Sequence, residues 1–206
     1  MKKKHIVITG TSGFIGYEFL KFALNQEYNV TDILRIKNKK NKKLKLLKKK
    51  YKKNYKSIYF SRYNNLKEKL KKIKVDYFIN FATLYINEHK FNNINNLINS
   101  NILFPTIVYD LIYLKSKKII NFGTMMQHNN SIKFESQNLY AATKSAFEVI
   151  SNYYLSKKNN TKIYNLKLYE SFGVNDNRNK LIPTLIKNYK KNKITKILSK
   201  KLKLNI

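Results

Sequence analysis

A strand, a glycine-rich turn and a helix follow one another at the start of the chain, and this order limits the fold more than any other feature. Residues 6–9 are apolar or β-branched and predict a short buried strand. Gly10, Gly13 and Gly16 then stand three residues apart, and the apolar residues after them are spaced as on one face of a helix. The sequence therefore predicts a strand that leads through a tight turn into a helix.

This order suits the binding of a dinucleotide. Gly10 allows a sharp turn out of the strand, Gly13 lets backbone approach a pyrophosphate, and Gly16 allows the helix to pack close to the sheet. The helix N-terminus adds amide donors and a partial positive charge. A glycine triplet alone is weak evidence, but the strand before it and the helix after it support dinucleotide binding.

The composition narrows the class of protein. The chain has 206 residues, is 43% hydrophobic and has no cysteine, so we expect an apolar core without disulfides or cysteine-bound metal. His5, His89 and His128 are scattered along the sequence, and we expect no metal site. No secretory signal and no run of about 20 apolar residues is recognised, which predicts a cytoplasmic protein that does not contact a membrane.

The formal net charge of +32 has two interpretations. One is nucleic-acid binding through the lysine-dense segment 37–56, where Tyr51 and Tyr55 could stack on bases. The other is compositional bias, with lysine on a solvated loop or helix face. Readers of phosphates and bases usually use arginine, which occurs in this chain only three times. We therefore favour bias and expect no nucleic-acid partner, while the positive potential would still attract anionic nucleotides.

Strands and helices alternate along the rest of the sequence. Strands are predicted at 28–35, 57–60, 75–83 and 118–123, and helices at 66–73, from the segment 87–101 to Leu114, and at 139–155. Pro105 predicts a kink or a late start in the second of these helices. This alternation predicts an α/β fold with a doubly wound parallel sheet, the Rossmann arrangement. On helix 139–155 we expect the core face to carry Ala142, Ala146, Val149, Ile150 and Tyr153.

The end of the second strand bears on the type of dinucleotide. A carboxylate there binds the ribose hydroxyls, whereas an arginine accommodates a 2′-phosphate. Arg35 stands about 20 residues after the glycines, and Asp32 comes two residues too early. We therefore expect NADP(H) in preference to NAD(H). The alternative is that Arg35 is an ordinary surface residue.

Tyr140 and Lys144 are four residues apart on a predicted helix, so they share one face. An ammonium beside a phenol lowers the phenol pKa from about 10, which makes Tyr140 a candidate general acid or base. Thr124 ends the fifth strand and could donate a hydrogen bond to the same substrate oxygen, because ligands bind at the carboxyl ends of such strands. A Tyr–Lys pair is unremarkable by itself in this sequence and gains weight from the glycine-rich turn.

Together these motifs resemble the extended short-chain dehydrogenase/reductases, the NAD(P)-dependent epimerase/dehydratase group that acts on nucleotide-linked sugars. The match runs from the first strand to about Lys187. Its motifs are specific for the superfamily and not for one reaction. The pieces that carry it are residues 10–16, Asn80-Phe81-Ala82-Thr83, Asn101, Thr124, Tyr140-Ala141-Ala142-Thr143-Lys144 and residues 168–173.

The resemblance implies a role for each matched residue. Tyr140 would exchange a proton with a sugar oxygen, Lys144 would lower the Tyr140 pKa and hold the nicotinamide ribose, and Thr124 would orient the substrate. Asn101 would be a supporting polar residue or a helix-packing residue. The family often dimerises through the Tyr140 helix and the long helix before it, so a homodimer is implied. The implied cofactor contacts are Gly10, Thr11, Ser12, Gly13, Phe14, Ile15, Gly16, Arg35, Phe81, Ala82, Thr83, Tyr140, Lys144 and Tyr169, and the implied substrate contacts are Met125, Glu170 and Arg178.

The sequence also departs from the family pattern. Met125-Met126 stand where sugar dehydratases carry an Asp-Glu pair, so we expect an epimerase or, slightly favoured because of Arg35, an NADP(H)-dependent 4-keto-sugar reductase. The resemblance implies an NAD(P)-binding domain at 1–170 and the start of a truncated substrate-binding lobe at 171–206. The alternative function is a non-catalytic NADP(H)-binding module or a truncated inactive fragment.

Overall fold

A computed structural model describes residues 3–129, 132–157, 160–174, 176, 178 and 180–196. The chain divides into two compact units between Lys167 and Leu168. The strands are β1 (His5–Thr9), β2 (Asn29–Arg35), β3 (Tyr55–Phe60), β4 (Tyr77–Asn80), β5 (Lys118–Thr124) and β6 (Lys162–Leu168). The α-helices are α1 (Phe14–Asn25), α2 (Lys42–Lys50), α3 (Tyr63–Leu70), α4 (Ile94–Ile98), α5 (Phe104–Ile112), α6 (Leu139–Leu155) and α7 (Leu181–Tyr189).

The sheet has the order β3-β2-β1-β4-β5-β6. The pairs β1–β2, β2–β3, β1–β4 and β4–β5 are parallel, with Thr9 opposite Asn80 and Asn80 opposite Asn121. This confirms the predicted doubly wound parallel sheet. Because the strand order reverses at β1 and β4, a crevice forms at the carboxyl ends of these two strands, where ligands bind in such folds.

Helices pack their apolar side chains on both faces of the sheet, as a parallel sheet requires. Alternate residues of β1 point to opposite faces, so Val7 belongs to one core and Ile6 and Ile8 to the other. The first core includes side chains from α3, α5 and α6, and the second includes side chains from α1 and α2. The lysine-dense segment forms the amphipathic helix α2, which buries Leu44 and Leu47 and leaves its lysines exposed.

In the central helix of the first unit, helical structure runs without a break from Phe91 to Lys115. Its last α-helical part, α5, begins at Phe104 with Pro105 in the first turn, near the predicted kink or late start. The turn Asn99–Leu103 is π-helical, immediately before Pro105. In a regular α-helix the Pro105 ring would collide with the carbonyl of Asn101, and a π-helical turn changes the backbone at that point. Thr106 donates its hydroxyl proton to the carbonyl of Ile102 at 2.7 Å, which satisfies one of the acceptors there.

This central helix is also long and apolar enough to span a bilayer by those two criteria alone. Its apolar composition has a simpler cause within the fold. Phe104, Val108, Tyr109 and Ile112 are buried in the core against the sheet.

Helix α6 has the predicted bounds, but the prediction of its core face was wrong. The buried residues include Tyr140, Lys144, Phe147, Ser151 and Tyr154. Among the residues predicted to face the core, Val149 is 60% and Tyr153 is 56% exposed. The pattern misled because two polar residues, Lys144 and Ser151, lie on the buried face.

A layer of amides and hydroxyls crosses the sheet near the carboxyl ends of its strands. Thr9 donates to Asn80 Oδ1 at 2.7 Å, Asn80 Nδ2 donates to Asn121 Oδ1 at 3.0 Å, and Asn121 Nδ2 donates to Asn165 Oδ1 at 3.1 Å. Asn165 Nδ2 then donates to the Ser151 hydroxyl of α6 at 3.0 Å. These bonds tie β1, β4, β5 and β6 to the helix that carries Tyr140 and Lys144.

Candidate active site

The glycine-rich turn lies at the carboxyl end of β1 with its backbone close to the next strand. Gly10 has a φ of +80°, and a Cβ atom at this position would lie 2.4 Å from the Ala82 amide nitrogen. A Cβ at Gly16 would lie 2.5 Å from the Gly10 carbonyl oxygen, whereas one at Gly13 would meet that oxygen at 3.3 Å. Gly10 and Gly16 are therefore required by the fold itself, and Gly13 is the exposed glycine at the N-cap of α1.

The buried carboxyl group of Asp32 is hydrogen-bonded to this turn. The Thr11 hydroxyl and the Tyr55 hydroxyl both donate to Asp32 Oδ2, the latter at 3.0 Å. Burial raises the pKa of Asp32 to about 7. Asp32 and Thr11 thus both lie inside the protein and are fully buried.

Arg35 ends β2 as expected and is partly buried against the central helix. Its Nη2 donates to the Ser100 hydroxyl at 3.1 Å, and its guanidinium carbon lies 5.9 Å from the centre of the Phe104 ring. Ser100 belongs to the π-helical turn. The arginine predicted to meet a 2′-phosphate therefore also joins β2 to the central helix.

The segment after β4 passes beside the glycine-rich turn. The Phe81 amide donates to the Thr9 carbonyl at 3.2 Å, and the Phe81 ring stacks on Phe122 with ring centres 4.3 Å apart. The Ala82 amide donates to Asn80 Oδ1 at 3.3 Å. Phe81 and Ala82 are thereby held next to Gly10.

Asn101 connects this segment to α6 and is fully buried. Its Oδ1 accepts hydrogen bonds from the Leu84 amide at 2.7 Å and from the Thr83 hydroxyl at 3.2 Å. Its Nδ2 donates to the Leu84 carbonyl at 3.0 Å and to the Thr143 hydroxyl at 2.9 Å, while Thr143 donates to the Tyr140 carbonyl at 2.6 Å. Asn101 therefore positions both the loop after β4 and the first turn of α6.

Tyr140 is 8% exposed and packs edge-to-face on Tyr85, with ring centres 4.9 Å apart. Burial raises the pKa of the Tyr140 phenol, and a hydrogen bond with Thr83 acts in the opposite direction. The expectation that Lys144 lowers this pKa is not met in this structure, because desolvation of the phenol outweighs other influences. The phenol is therefore protonated at neutral pH.

Lys144 lies one turn further along α6 and is 4% exposed. Burial lowers the pKa of its ammonium to about 8, and the negative charge of Glu148 opposes this shift. The ammonium is therefore charged at neutral pH and loses its proton above about pH 8.

Thr124 ends β5 and caps the short 3-10 helix Met125–Gln127. Its backbone amide donates to Gln127 Oε1 at 2.8 Å, and its hydroxyl accepts a hydrogen bond from the Met126 amide at 3.4 Å. Met125 is partly exposed after it. Gln127 and Glu148 support this loop and were not singled out from the sequence; for Glu148 a signal existed, because it stands four residues after Lys144.

Three predicted site residues lie in the second unit, which we describe by itself. Tyr169 is 50% exposed. Glu170 forms an ion pair with Lys180 at 3.0 Å. Arg178 forms an ion pair with Asp176 at 2.6 Å and donates a hydrogen bond to the Ser171 carbonyl at 2.7 Å. The pKa of Asp176 is lowered by this hydrogen-bonded arginine.

The turn fits a dinucleotide by its own geometry. The close approaches at Gly10 and Gly16 leave a side-chain-free backbone at the start of α1, where helix amides and the positive helix end favour phosphate. Within the ranges that the structure describes, no group of three or more His, Asp or Glu side chains is placed to hold a metal ion.

Comparisons with known proteins agree with this geometry. The model of the NAD dependent epimerase/dehydratase family matches residues 6–203. CDP-abequose synthase of Salmonella typhimurium is 24% identical over 191 residues, which are 89% of this chain and 58% of that protein. CDP-abequose synthase of Yersinia pseudotuberculosis is 30% identical over 148 residues, which are 70% of this chain and 50% of that protein. The chain thus spans between 50% and 58% of the length of these curated relatives.

Solved structures share the fold at low identity. The Bordetella bronchiseptica enzyme WbmG in complex with NAD has a TM-score of 0.75 at 17% identity, covering 93% of this chain and 61% of that one. UDP-glucuronic acid 4-epimerase from Bacillus cereus in complex with NAD has a TM-score of 0.73 at 18% identity, covering 92% of this chain and 64% of that one.

Proposed function

The chain belongs to the NAD dependent epimerase/dehydratase family, and we propose that it forms the dinucleotide-binding part of an oxidoreductase or epimerase acting on a nucleotide-linked sugar. The observation that supports this most is the placement of Tyr140 and Lys144. Both are buried on one face of α6, and Asn101 ties that helix to the loop beside the glycine-rich turn. When bound, the dinucleotide supplies the hydride donor or acceptor.

The residues of this chain would handle the proton and the substrate oxygen. The Tyr140 phenol, which is protonated at neutral pH, would give its proton to a sugar ketone as that ketone is reduced. The charged Lys144 ammonium would stabilise the phenolate that remains, and the Thr124 hydroxyl would donate to the same sugar oxygen. Arg35 slightly favours an NADP(H)-dependent 4-keto-sugar reductase over an epimerase, and Met125-Met126 offer no acid or base for dehydration.

NADP(H) is the cofactor we propose, because of Arg35 at the end of β2. A guanidinium has five N–H donors, so the bond to Ser100 leaves donors for a 2′-phosphate. Residues 10–16 would hold the pyrophosphate, and Phe81, Ala82 and Thr83 would line the rest of the cofactor. The named relatives support CDP as the nucleotide of the sugar, with Met125 as a substrate contact. We also propose a cytoplasmic enzyme and a homodimer through the exposed side of α6.

The test is NADPH oxidation by this chain in the presence of CDP- or UDP-linked 4-keto sugars. Tyr140→Phe removes the proton donor and lowers kcat by about 100-fold to 10,000-fold. Tyr164→Phe is the matched control, because Tyr164 is an exposed tyrosine of β6, and it leaves kcat unchanged. Equal rates for the wild type and Tyr140→Phe would remove Tyr140 from the reaction.

A non-catalytic NADP(H)-binding module is the second candidate. The burial of the Tyr140 phenol, which raises its pKa and makes it a weaker acid, favours this candidate. Saturable NADPH binding without any sugar-dependent oxidation would select this candidate.

A further inference from the structure

The side chain of Glu148 on α6 is hydrogen-bonded to Gln127, in the loop after Thr124, and to Lys167 on β6. Glu148 Oε2 accepts hydrogen bonds from Gln127 Nε2 at 2.8 Å and from Lys167 Nζ at 2.5 Å. Gln127 Oε1 in turn accepts one from the Thr124 backbone amide at 2.8 Å. Glu148 therefore reaches the Thr124 backbone through a single intervening side chain.

The fold makes room for these contacts. Gln127 is fully buried. A Cβ atom at Gly123 would lie 2.5 Å from Gln127 Oε1 and 3.1 Å from Lys167 Cδ, so only glycine leaves the space that these side chains occupy. The carboxylate of Glu148 is itself mostly buried, with its side chain 15% exposed and that of Lys167 20% exposed.

Glu148 also acts on Lys144 through its charge. The two residues are four apart on α6, so they lie on one face of the helix. Burial lowers the pKa of Lys144, and the Glu148 carboxylate raises it. Lys167 pairs with the same carboxylate and therefore weakens its effect on Lys144.

We propose that Glu148 is a positioning residue of the active site, which fixes the Thr124 backbone through Gln127 and, balanced by Lys167, keeps the Lys144 ammonium charged. This inference rests on the proposed function, in which Thr124 and Lys144 act on substrate and cofactor. Among the described groups, Glu148 on α6 is the one whose charge acts on Lys144, and Lys167 on β6 is the cation paired with that carboxylate. Glu148 and Lys167 therefore set the charge balance at Lys144.

The experiment is a pH titration of Lys144 in the whole chain by NMR, following its Cε resonance, which is identified by its loss in Lys144→Met. Glu148→Gln keeps an acceptor for Gln127 but removes the charge, so the Lys144 midpoint falls by about one pH unit. Lys167→Met frees the Glu148 charge, so the midpoint rises. Glu18→Gln breaks the Lys21–Glu18 ion pair of α1 and is the matched control, which leaves the midpoint unchanged.

Opposite shifts in Glu148→Gln and Lys167→Met support the inference, because a merely structural role of Glu148 does not produce them. An unchanged midpoint in Glu148→Gln, or shifts of the same sign in both variants, overturns it. If Glu148→Gln does not fold, an unchanged or lower midpoint in Lys167→Met overturns it. The titration needs neither cofactor nor turnover, so a failure of dinucleotide binding would count against the proposed function and not against this inference.

Discussion

Asp32 and Lys144 are both ionisable, and both lie in the interior of the first unit, where burial penalises their charged forms. Asp32 supports the glycine-rich turn through Thr11, and Lys144 stands beside Tyr140 on α6. A folded protein retains such groups at a cost in stability, and their placement at two parts of one candidate site indicates a functional reason.

The Asp32 carboxyl makes stability depend on pH. Its pKa rises from 3.8 to about 7 in the folded protein, so the folded state binds more protons than the unfolded state between these values, and stability falls as the pH rises through this window. Asp32→Asn keeps an acceptor for Thr11 and Tyr55 and cannot ionise. Relative to the wild type we expect a gain in the free energy of unfolding on the order of 2 kcal/mol at pH 8 and a smaller one at pH 5.

Urea denaturation at the two pH values measures this difference. Glu68→Gln is the control, because Glu68 is exposed on α3, and it changes the free energy of unfolding by less than about 0.5 kcal/mol. The same gain for Asp32→Asn at pH 5 and at pH 8 would contradict this assignment of Asp32.

Gly10 is required by the backbone conformation and close packing of the fold, whereas we expect Gly13 to be required for cofactor binding. Gly10→Ala places a Cβ 2.4 Å from backbone at a positive φ, so we expect it to lower the free energy of unfolding by roughly 1–3 kcal/mol or more. Gly13→Ala meets one oxygen at 3.3 Å and costs less than about 1 kcal/mol, yet it weakens NADPH binding because its methyl group lies where the pyrophosphate approaches. Thermal denaturation and NADPH titration of both variants separate the two effects. Unweakened binding by Gly13→Ala would be evidence against a pyrophosphate at this turn.

Two residues of the central helix determine its local geometry and its contacts. Pro105 follows a π-helical turn, and Asn101 connects the helix to neighbouring elements. The π-helical turn before Pro105 carries Asn101, whose amide makes four hydrogen bonds to the loop after β4 and to α6. Removal of a buried polar side chain leaves its former partners without hydrogen bonds. This lowers the free energy of unfolding by more than the net contribution of the lost bonds.

Asn101→Leu tests this function of the helix. We expect it to lower the free energy of unfolding by about 2–4 kcal/mol, and to increase hydrogen exchange at the Leu84 amide. Asn96→Leu is the matched control on an exposed face of the same helix and changes stability by less than about 0.5 kcal/mol. Equal effects of the two substitutions would show that Asn101 has no special role.

The sequence alone predicted those elements whose patterns lie within a short stretch of the chain. The strand and turn at the start of the chain and the bounds of α6 follow from periodicity and glycine spacing. The strand predicted at 75–83 is shorter, Tyr77–Asn80, because the segment after Asn80 leaves the sheet to pass the glycine-rich turn. The buried face of α6 was misassigned because a hydrophobic pattern does not reveal that Lys144 faces inward.

The remaining features of the candidate site could not be predicted, because they depend on contacts between residues that are distant in the sequence. Asp32 is a strand residue whose partners Thr11 and Tyr55 are distant in the chain. The direction of the Tyr140 pKa depends on burial, which spacing from Lys144 does not reveal. The pairing of Gln127 with Glu148 likewise joins a loop to a helix 21 residues away.

For the whole molecule, the net charge of +32 has a kinetic consequence. A positive potential accelerates the approach of an anionic dinucleotide, and added salt screens it. We expect the association rate constant of NADPH, measured by stopped-flow fluorescence, to fall as the ionic strength rises from about 0.01 M to 0.15 M, while the dissociation rate constant changes less. An association rate that is independent of salt would show that this charge does not steer the cofactor.

The central claim is that the chain holds a dinucleotide at the crevice between β1 and β4. The direct test is a titration of the chain with NADPH and, separately, with NADH, followed by nicotinamide fluorescence. We expect saturable binding at one site per chain, tighter for NADPH because of Arg35. No saturable binding of either dinucleotide to the folded chain would contradict it.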